Sequence, residues 1–450
     1  MKIETNRTQS ATVRFDWETD ACVGSFSAPG SNPDGTWSRQ DIVVTYDYYD
    51  SGRLKSARGE GTSLSNDGFD NHTAAVVIQE FDEDLILAFG QAKLSKTITE
   101  SFSSDSEGNG SFDRPLLNPD DGFSRQRMVV TNSYDERGAL MGSEGVGEAL
   151  SDDGWGNTTA SEIRQTYEVR RGKALLTTSQ TRSFTAEAQT DAQNRITAVL
   201  GSFDNPRRDR DLSQNRQENI VLYRYNADGK LTGVSGLTQG ESDDGAGNTS
   251  SSVGEQIYDD HLLATFGQTK VRQTRSVTRS KNKDGSESEQ AMIVTNRYSD
   301  TGVLLDGDGR GAQLSLDGFG NVTRAGAFEV DEEGRFDIID IGITQEFRLI
   351  HGQLKLESSR TQSRSDNVDL TRRQDDVLTQ YDYAPGGKLV RVQGGGTFTT
   401  AIWNKATDAW EVTGVGSLVQ RYTLLFGRPK VEASHTLSES TIGEATTTLV

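Results

Sequence analysis

The residues of this chain that could do chemistry are few, and their spacing argues against catalysis. Its four histidines, His72, His261, His351 and His435, fall at unrelated points. They define no repeated metal or acid–base site and read as single turn or surface residues. Cys22 is the sole cysteine in 450 residues, which rules out an intramolecular disulfide and leaves stability to sheet packing. The sequence contains no Gly-x-Ser-x-Gly elbow, phosphate-binding glycine loop or His-Glu-x-x-His helix, the spacings that seat a nucleophile, a nucleotide or a catalytic zinc. The chain is therefore expected not to be an enzyme and to carry no cofactor.

Binding chemistry has more material. Asp67, Asp153, Asp244 and Asp317 are each followed four residues later by an asparagine: Asn71, Asn157, Asn248 and Asn321. Asp152-Asp153-Gly154-Trp155-Gly156-Asn157 gathers oxygen ligands as calcium loops do, but it lacks their alternating Asp-x-Asp-x-Asp pattern and bidentate glutamate. An Asp-Gly hairpin needs no ion, so calcium at these aspartates is a secondary expectation. Asn-x-Ser/Thr sequons at the four asparagines follow from a turn asparagine preceding a strand-starting residue. Hydroxyl columns such as Thr97 and Thr99, or Thr177, Ser179 and Thr181, could face ice or a glycan; a solvated sheet face gives the same pattern. Trp403 and Trp410 are candidate contacts for a sugar or a partner protein. A hairpin-like insertion around Glu333 is a candidate recognition loop.

All of these residues lie in a tandem array. Five times a tyrosine precedes a glycine by four residues, a leucine follows that glycine by two and a second glycine by seven. The sets are Tyr48/Gly52/Leu54/Gly59, Tyr134/Gly138/Leu140/Gly145, Tyr225/Gly229/Leu231/Gly236, Tyr298/Gly302/Leu304/Gly309 and Tyr383/Gly387/Leu389/Gly394. Repetition of this kind signals one supersecondary unit used several times. Each unit opens on a β-branched and aromatic run such as Ile42 to Tyr48, turns at the first glycine, and continues into a strand that in most units carries Gly-x-Gly, as at Gly59 and Gly61. Glycines two apart share a face, so this strand presents a bare strip; close approach of another backbone is the expectation. After the Asp-Gly turn comes a Gln-x-aromatic strand (Gln79, Gln165, Gln256, Gln345, Gln420), a turn ending near Gly90, Gly172, Gly267, Gly352 or Gly427, and a long Ser/Thr-rich strand.

Four antiparallel strands per unit divide the chain into residues 1–40 (the end of a preceding repeat and a link), 41–127, 128–218, 219–290, 291–375 with the inserted hairpin, and 376–450. The fold class is all-β, an open and elongated array that is solenoid-like or a spiralling sheet. A five-bladed propeller is the rival. Against it, the lysine-led Ser/Thr strand occurs six times and the tyrosine-led strand five, whereas a closed ring needs equal numbers. Lys2 to Ser10 matches Lys355 to Ser363, so Met1 is expected to open a piece of a longer repeat protein.

The Tyr-x-x-x-Gly-x-Leu element, most clearly Tyr134-Asp135-Glu136-Arg137-Gly138-Ala139-Leu140, resembles the YD or RHS repeat, as does Tyr49-Asp50-Ser51-Gly52-Arg53-Leu54, which places its tyrosine three rather than four residues before the glycine. In that family Tyr-Asp-x-x-Gly-Arg-Leu marks successive hairpins of a spiralling sheet. The period departs from it: the family repeats about every twenty residues, this chain every 73 to 91. The resemblance implies a long secreted bacterial surface protein rather than a closed toxin-enclosing shell.

Composition points the same way. Lys plus Arg number 47 against 67 Asp plus Glu, a formal charge of −20, which repels nucleic acid and anionic lipid. No stretch of eighteen apolar residues is present, so no membrane insertion is expected. The expected role is a structural spacer of an extracellular or cell-surface protein whose partners are neighbouring repeats. The alternative is an adhesin segment that binds a glycan or a cell-surface protein through its loops.

Overall fold

The computed structural model describes residues 3–16, 20–32, 35–331, 335–425, 427–440 and 446–449. Lys2, Pro33 and the tip Glu332-Glu333-Gly334 of the inserted hairpin lie outside them. The protein is one 24-stranded antiparallel sheet with two small hairpins beside it. Strands follow the chain as a meander. Unit one lays down Trp37–Tyr48, Leu54–Asn66, His72–Phe81 and Leu94–Ser104, and unit three Gln214–Tyr225, Leu231–Asp243, Thr249–Tyr258 and Val271–Lys281. Units are joined by the same ladder that runs within them: Leu94–Ser104 pairs with Phe123–Tyr134, and Val271–Lys281 with Glu287–Tyr298. Propeller blades are separate sheets, so this continuity removes the propeller.

The third turn of a unit is built in two ways. Units two and four use two-residue turns with both residues at positive φ, Arg171 (51°) and Gly172 (74°), His351 (45°) and Gly352 (73°), the twist that suits a tight hairpin. Units one and three instead carry short helices, Glu83–Phe89 and Asp260–Phe266. Asp82 and Asp259 accept the capping bond from Leu85 and Leu262, and Gly90 and Gly267 end each helix in the left-handed region. In unit four the third strand is split into Val322–Ala325 and Ile343–Ile350 by the hairpin Ala327–Val330/Phe336–Asp340.

No single core holds the sheet together. Its accessible surface is 25629 Å², against roughly 17,000 Å² for a compact chain of this mass, so both faces are substantially wet. Burial is local, and each cluster has its own lid. Phe112 from a link covers Leu64, Ala74 and Phe102. Ile196, from the second link, lies on Leu150, Ala160 and Phe184. Phe336 of the inserted hairpin lies on Val277, Ala291 and Ile293. Leu263 of the second helix packs on Val234 and Tyr258.

The sheet winds without closing. Asn71 donates its side-chain N–H to the His351 carbonyl (3.4 Å), and His351 Nδ1 lies 3.1 Å from the Phe69 carbonyl. From the turn at Asp67–Asn71 to the one at His351–Gly352 the ladder adds thirteen strands, His72–Phe81 through the split Val322–Ile350 counted as one. Two other loop pairs repeat that offset. Gly386 abuts Pro119, and Gly427 abuts the Trp155 ring, each too closely for a Cβ to fit. Hairpins on one rim of the first winding therefore meet hairpins on the opposite rim of the next, and about thirteen strands make one revolution.

Candidate functional site

The recurring residues are used to hold the ladder. Near its start each long Ser/Thr strand carries one extra residue, Ser95, Thr177, Arg272, Glu357 or Glu432, where the register shifts. Such a bulge disrupts the ladder locally. The tyrosine of the following unit repairs it. Tyr134, Tyr225, Tyr298 and Tyr383 donate their hydroxyls to the carbonyls of Leu94, Leu176, Val271 and Leu356, immediately before the extra residue, at 2.8, 2.8, 2.9 and 3.0 Å. Tyr48 does the same to Ile3 at 2.9 Å. Asn132 and Asn296 add a second donor to the Leu94 and Val271 carbonyls. Burial holds the phenols of Tyr134, Tyr225, Tyr298 and Tyr383 above their usual pKa.

The turn glycines Gly52, Gly138, Gly229, Gly302 and Gly387 all have φ between 79° and 89°, which L side chains rarely adopt. The glycine strip divides into two kinds of contact, a correction to the single backbone approach expected from sequence. The first glycine lies under the glutamine of the Gln-x-aromatic strand. A Cβ on Gly59, Gly145, Gly236, Gly309 or Gly394 would sit 2.6, 3.0, 2.6, 2.7 or 3.0 Å from Oε1 of Gln79, Gln165, Gln256, Gln345 or Gln420. Where the aromatic is tyrosine its hydroxyl fixes the glutamine: Tyr167, Tyr258 and Tyr422 donate to that same Oε1 at 2.7, 3.2 and 3.0 Å. The second glycine meets backbone: the position of a Cβ on Gly147 or Gly311 lies 2.7 Å from the Arg127 or Ala291 carbonyl. The side chain of the directly opposed residue makes the first contact and the carbonyl just before the opposed residue, Met128 or Met292, the second, and spacing alone does not separate the two.

The acidic turns are occupied by their own donors. In each, one oxygen of the aspartate accepts from two backbone amides and the other from the asparagine side chain. Asp317 takes Phe319 N (2.9 Å), Asn321 N (2.8 Å) and Asn321 Nδ2 (2.6 Å). Asp67, Asp153 and Asp244 repeat the arrangement, with Nδ2 at 2.7, 2.7 and 2.6 Å. Hydrogen bonding from the asparagine holds the carboxyls of Asp244 and Asp317 below the usual range. Among the described residues no three His, Cys, Asp or Glu side chains converge as metal ligands.

The face opposite the glycine strip is a row of cross-strand ion pairs: Arg182 with Glu218 (2.8 Å), Arg216 with Glu241 (2.7 Å) and Arg279 with Glu289 (2.7 Å). The last two border an open groove of about 850 Å³ that runs across Ser242, Ser251 and Leu314. Trp403 and Trp410 are opposed on neighbouring strands, rings edge to face with centroids 5.4 Å apart, and both are half-buried. The Arg372 guanidinium lies 3.9 Å from the Trp410 ring centroid and pairs with Asp366 at 2.6 Å. The four histidines do not come together: His351 lies in the seam between windings, bridging the Phe69 and Pro385 carbonyls, and His72 bonds Asn66.

The seam is the assembly of residues that motif reading missed. Lys388 spans Asp121 (3.0 Å) and the Trp155 ring (4.5 Å). Arg428 grips the buried Asp209 (2.5 Å) and Asp211 (2.7 Å) and also donates to Ser213. Basic residues of the second winding thus close on acidic loops of the first. Asp209 and Asp211, interleaved with Arg207, Arg208 and Arg210 in the sequence, supply the buried carboxylates of this contact. No family model matches the chain, and no curated protein matches it in sequence.

Proposed function

We propose that this chain is a non-catalytic structural spacer, a wound β-sheet segment of a large extracellular or cell-surface repeat protein whose partners are neighbouring repeats. The observation that carries the reading is that the residues recurring from unit to unit are spent on the scaffold: tyrosine on a bulge carbonyl and glutamine over glycine in all five, asparagine on aspartate in four. A charge of −20 agrees with a role that engages neither nucleic acid nor anionic lipid. Among the described residues no helix is long and apolar enough to cross a membrane. Small-angle scattering tests it. An extended particle with a long axis along the winding is expected, and a compact envelope around one enclosed cavity overturns the reading.

A second reading, adhesion to a glycan or surface protein, is favoured by the half-exposed Trp403/Trp410 pair with Arg372 beside it, a rigid aromatic surface of the kind sugars stack on. Binding on a glycan array that is lost in Trp410→Ala, with melting unchanged, supports it; silence of the unaltered protein on the array and on surface-protein panels removes it.

A further inference from the structure

The seam between windings is an interface with two standard parts. One is an aromatic at the tip of an acidic turn, and the other is a glycine at positive φ in a turn on the opposite rim. Phe69 lies on Gly352 (φ 73°), and Trp155 lies on Gly427 (φ 78°). Neither glycine has room for a Cβ, because the ring occupies that space.

Both parts also occur unfilled. In unit four the same turn position is Phe319, which is 86 % exposed. Its turn is held as Asp67 holds the turn of Phe69, by Asp317 and Asn321. Beside it on that rim Leu316, Val368 and Leu370 are exposed. On the opposite rim of the first winding, Gly90 (φ 69°) has nothing within 4 Å of its Cβ position. The helix it caps presents Leu87 (50 % exposed) and Phe89 (57 %) to solvent next to it.

We infer that Phe319 and its apolar neighbours form a docking surface for a second copy of this chain, stacked head to tail, with Phe319 seated on Gly90 and against Leu87 and Phe89 of that copy. The argument is continuity with an existing interface: the same turn already seats an aromatic on a positive-φ glycine twice within the molecule. Such contact joins two different surfaces, and it propagates instead of closing in a symmetric pair. Burying an exposed phenylalanine and two apolar neighbours on a preformed seat supplies the driving force.

Sedimentation velocity on the intact protein over a wide concentration range tests this. The unaltered chain is expected to grow past dimer as concentration rises. Phe319→Ser should abolish that growth, and so should Leu87→Ser/Phe89→Ser, each with an unchanged circular dichroism spectrum. An equimolar mixture of the two variants keeps one intact copy of each surface and should stop at dimer. A monomer at every concentration overturns the proposal, as does growth indifferent to Phe319 or a mixture that stays monomeric. Those outcomes leave the spacer reading standing, since that reading falls on the shape of the single chain and not on its association. If the Leu87/Phe89 variant fails to fold, Phe319→Ser and its failure to associate with the unaltered chain beyond one step decide the matter.

Discussion

The side chain of Gln256 lies across Gly236, its Oε1 2.6 Å from where a Cβ would stand and itself bonded by the Tyr258 hydroxyl at 3.2 Å. Gly236 has no positive φ, so the requirement for glycine here is one of space and not of backbone conformation. Gly236→Val drives two methyl groups into the glutamine and should cost about 1 to 3 kcal/mol by overpacking. The loss should be partly recovered in Gly236→Val/Gln256→Ala, which clears the space, and a double-mutant cycle by denaturant titration reads the coupling. Hydrogen exchange should quicken in unit three and its neighbours and leave distant units protected. Additive effects of the two substitutions would show that the glutamine is not what excludes a side chain.

Tyr225 reaches the Leu176 carbonyl at 2.8 Å beside the bulged Thr177. Tyr225→Phe keeps the ring and removes the donor, so the expected loss is that of one hydrogen bond, about 0.5 to 1.5 kcal/mol. Amides of residues 174–178 should exchange faster than in the unaltered protein while those of unit five stay unchanged. An equal stability in Tyr225→Phe would mean that water serves the carbonyl as well as the phenol does.

Much of this ladder was legible in the sequence because it is local. Tyr225, Gly229 and Leu231 lie in one hairpin, and Asp244 and Asn248 close one turn, so short-range spacing reports them directly. The open, all-β array with four strands per unit followed from the same marks. The short helices were not read, because a turn ending in glycine looks alike whether it is Arg171-Gly172 or the capped run Asp82 to Gly90; the marker is the aspartate eight residues before the glycine with paired leucine or isoleucine between. The seam was beyond reach for a different reason. Arg428 meets Asp209 across 219 residues and His351 meets Phe69 across 282, and nothing in a repeat pattern states how many strands complete a revolution.

Calcium should have little to bind. Both oxygens of Asp67, Asp153, Asp244 and Asp317 already accept hydrogen bonds from their own turns, and an ion would have to displace those donors. Millimolar calcium or an excess of chelator is therefore expected to leave the melting temperature unchanged, whereas a tightly bound ion stabilises by several kcal/mol at such excess. A rise in melting temperature that disappears in Asp153→Asn would place a calcium site at these turns after all.

The Arg428 contact sets the pH response of the seam. Asp211 is held down to about 2: burial opposes this, and the bonds from Arg428 and Ser213 outweigh it. Asp209, more deeply enclosed, is pushed the other way by burial. For Asp211 the folded-state pKa lies below the unfolded value of 3.8. Its contribution is therefore complete above about pH 4 and is lost as the pH falls towards 2. Loosening of the seam in that window is expected before the ladder itself melts, since ladder hydrogen bonds do not titrate. Arg428→Met removes the cation and leaves two buried carboxylates without it, a change that costs about 3 to 5 kcal/mol when a buried pair is broken in this way. At neutral pH the variant should expose the 209–213 loop and the turn at Gly427 to hydrogen exchange while strands 231–243 and 389–404 remain protected. Adding Asp209→Asn and Asp211→Asn should restore much of the loss, because the uncompensated charge and not the missing arginine is what destabilises. If Arg428→Met leaves exchange in the loop unchanged, the two windings are held together elsewhere along the rim, by Lys388 or the aromatic seats.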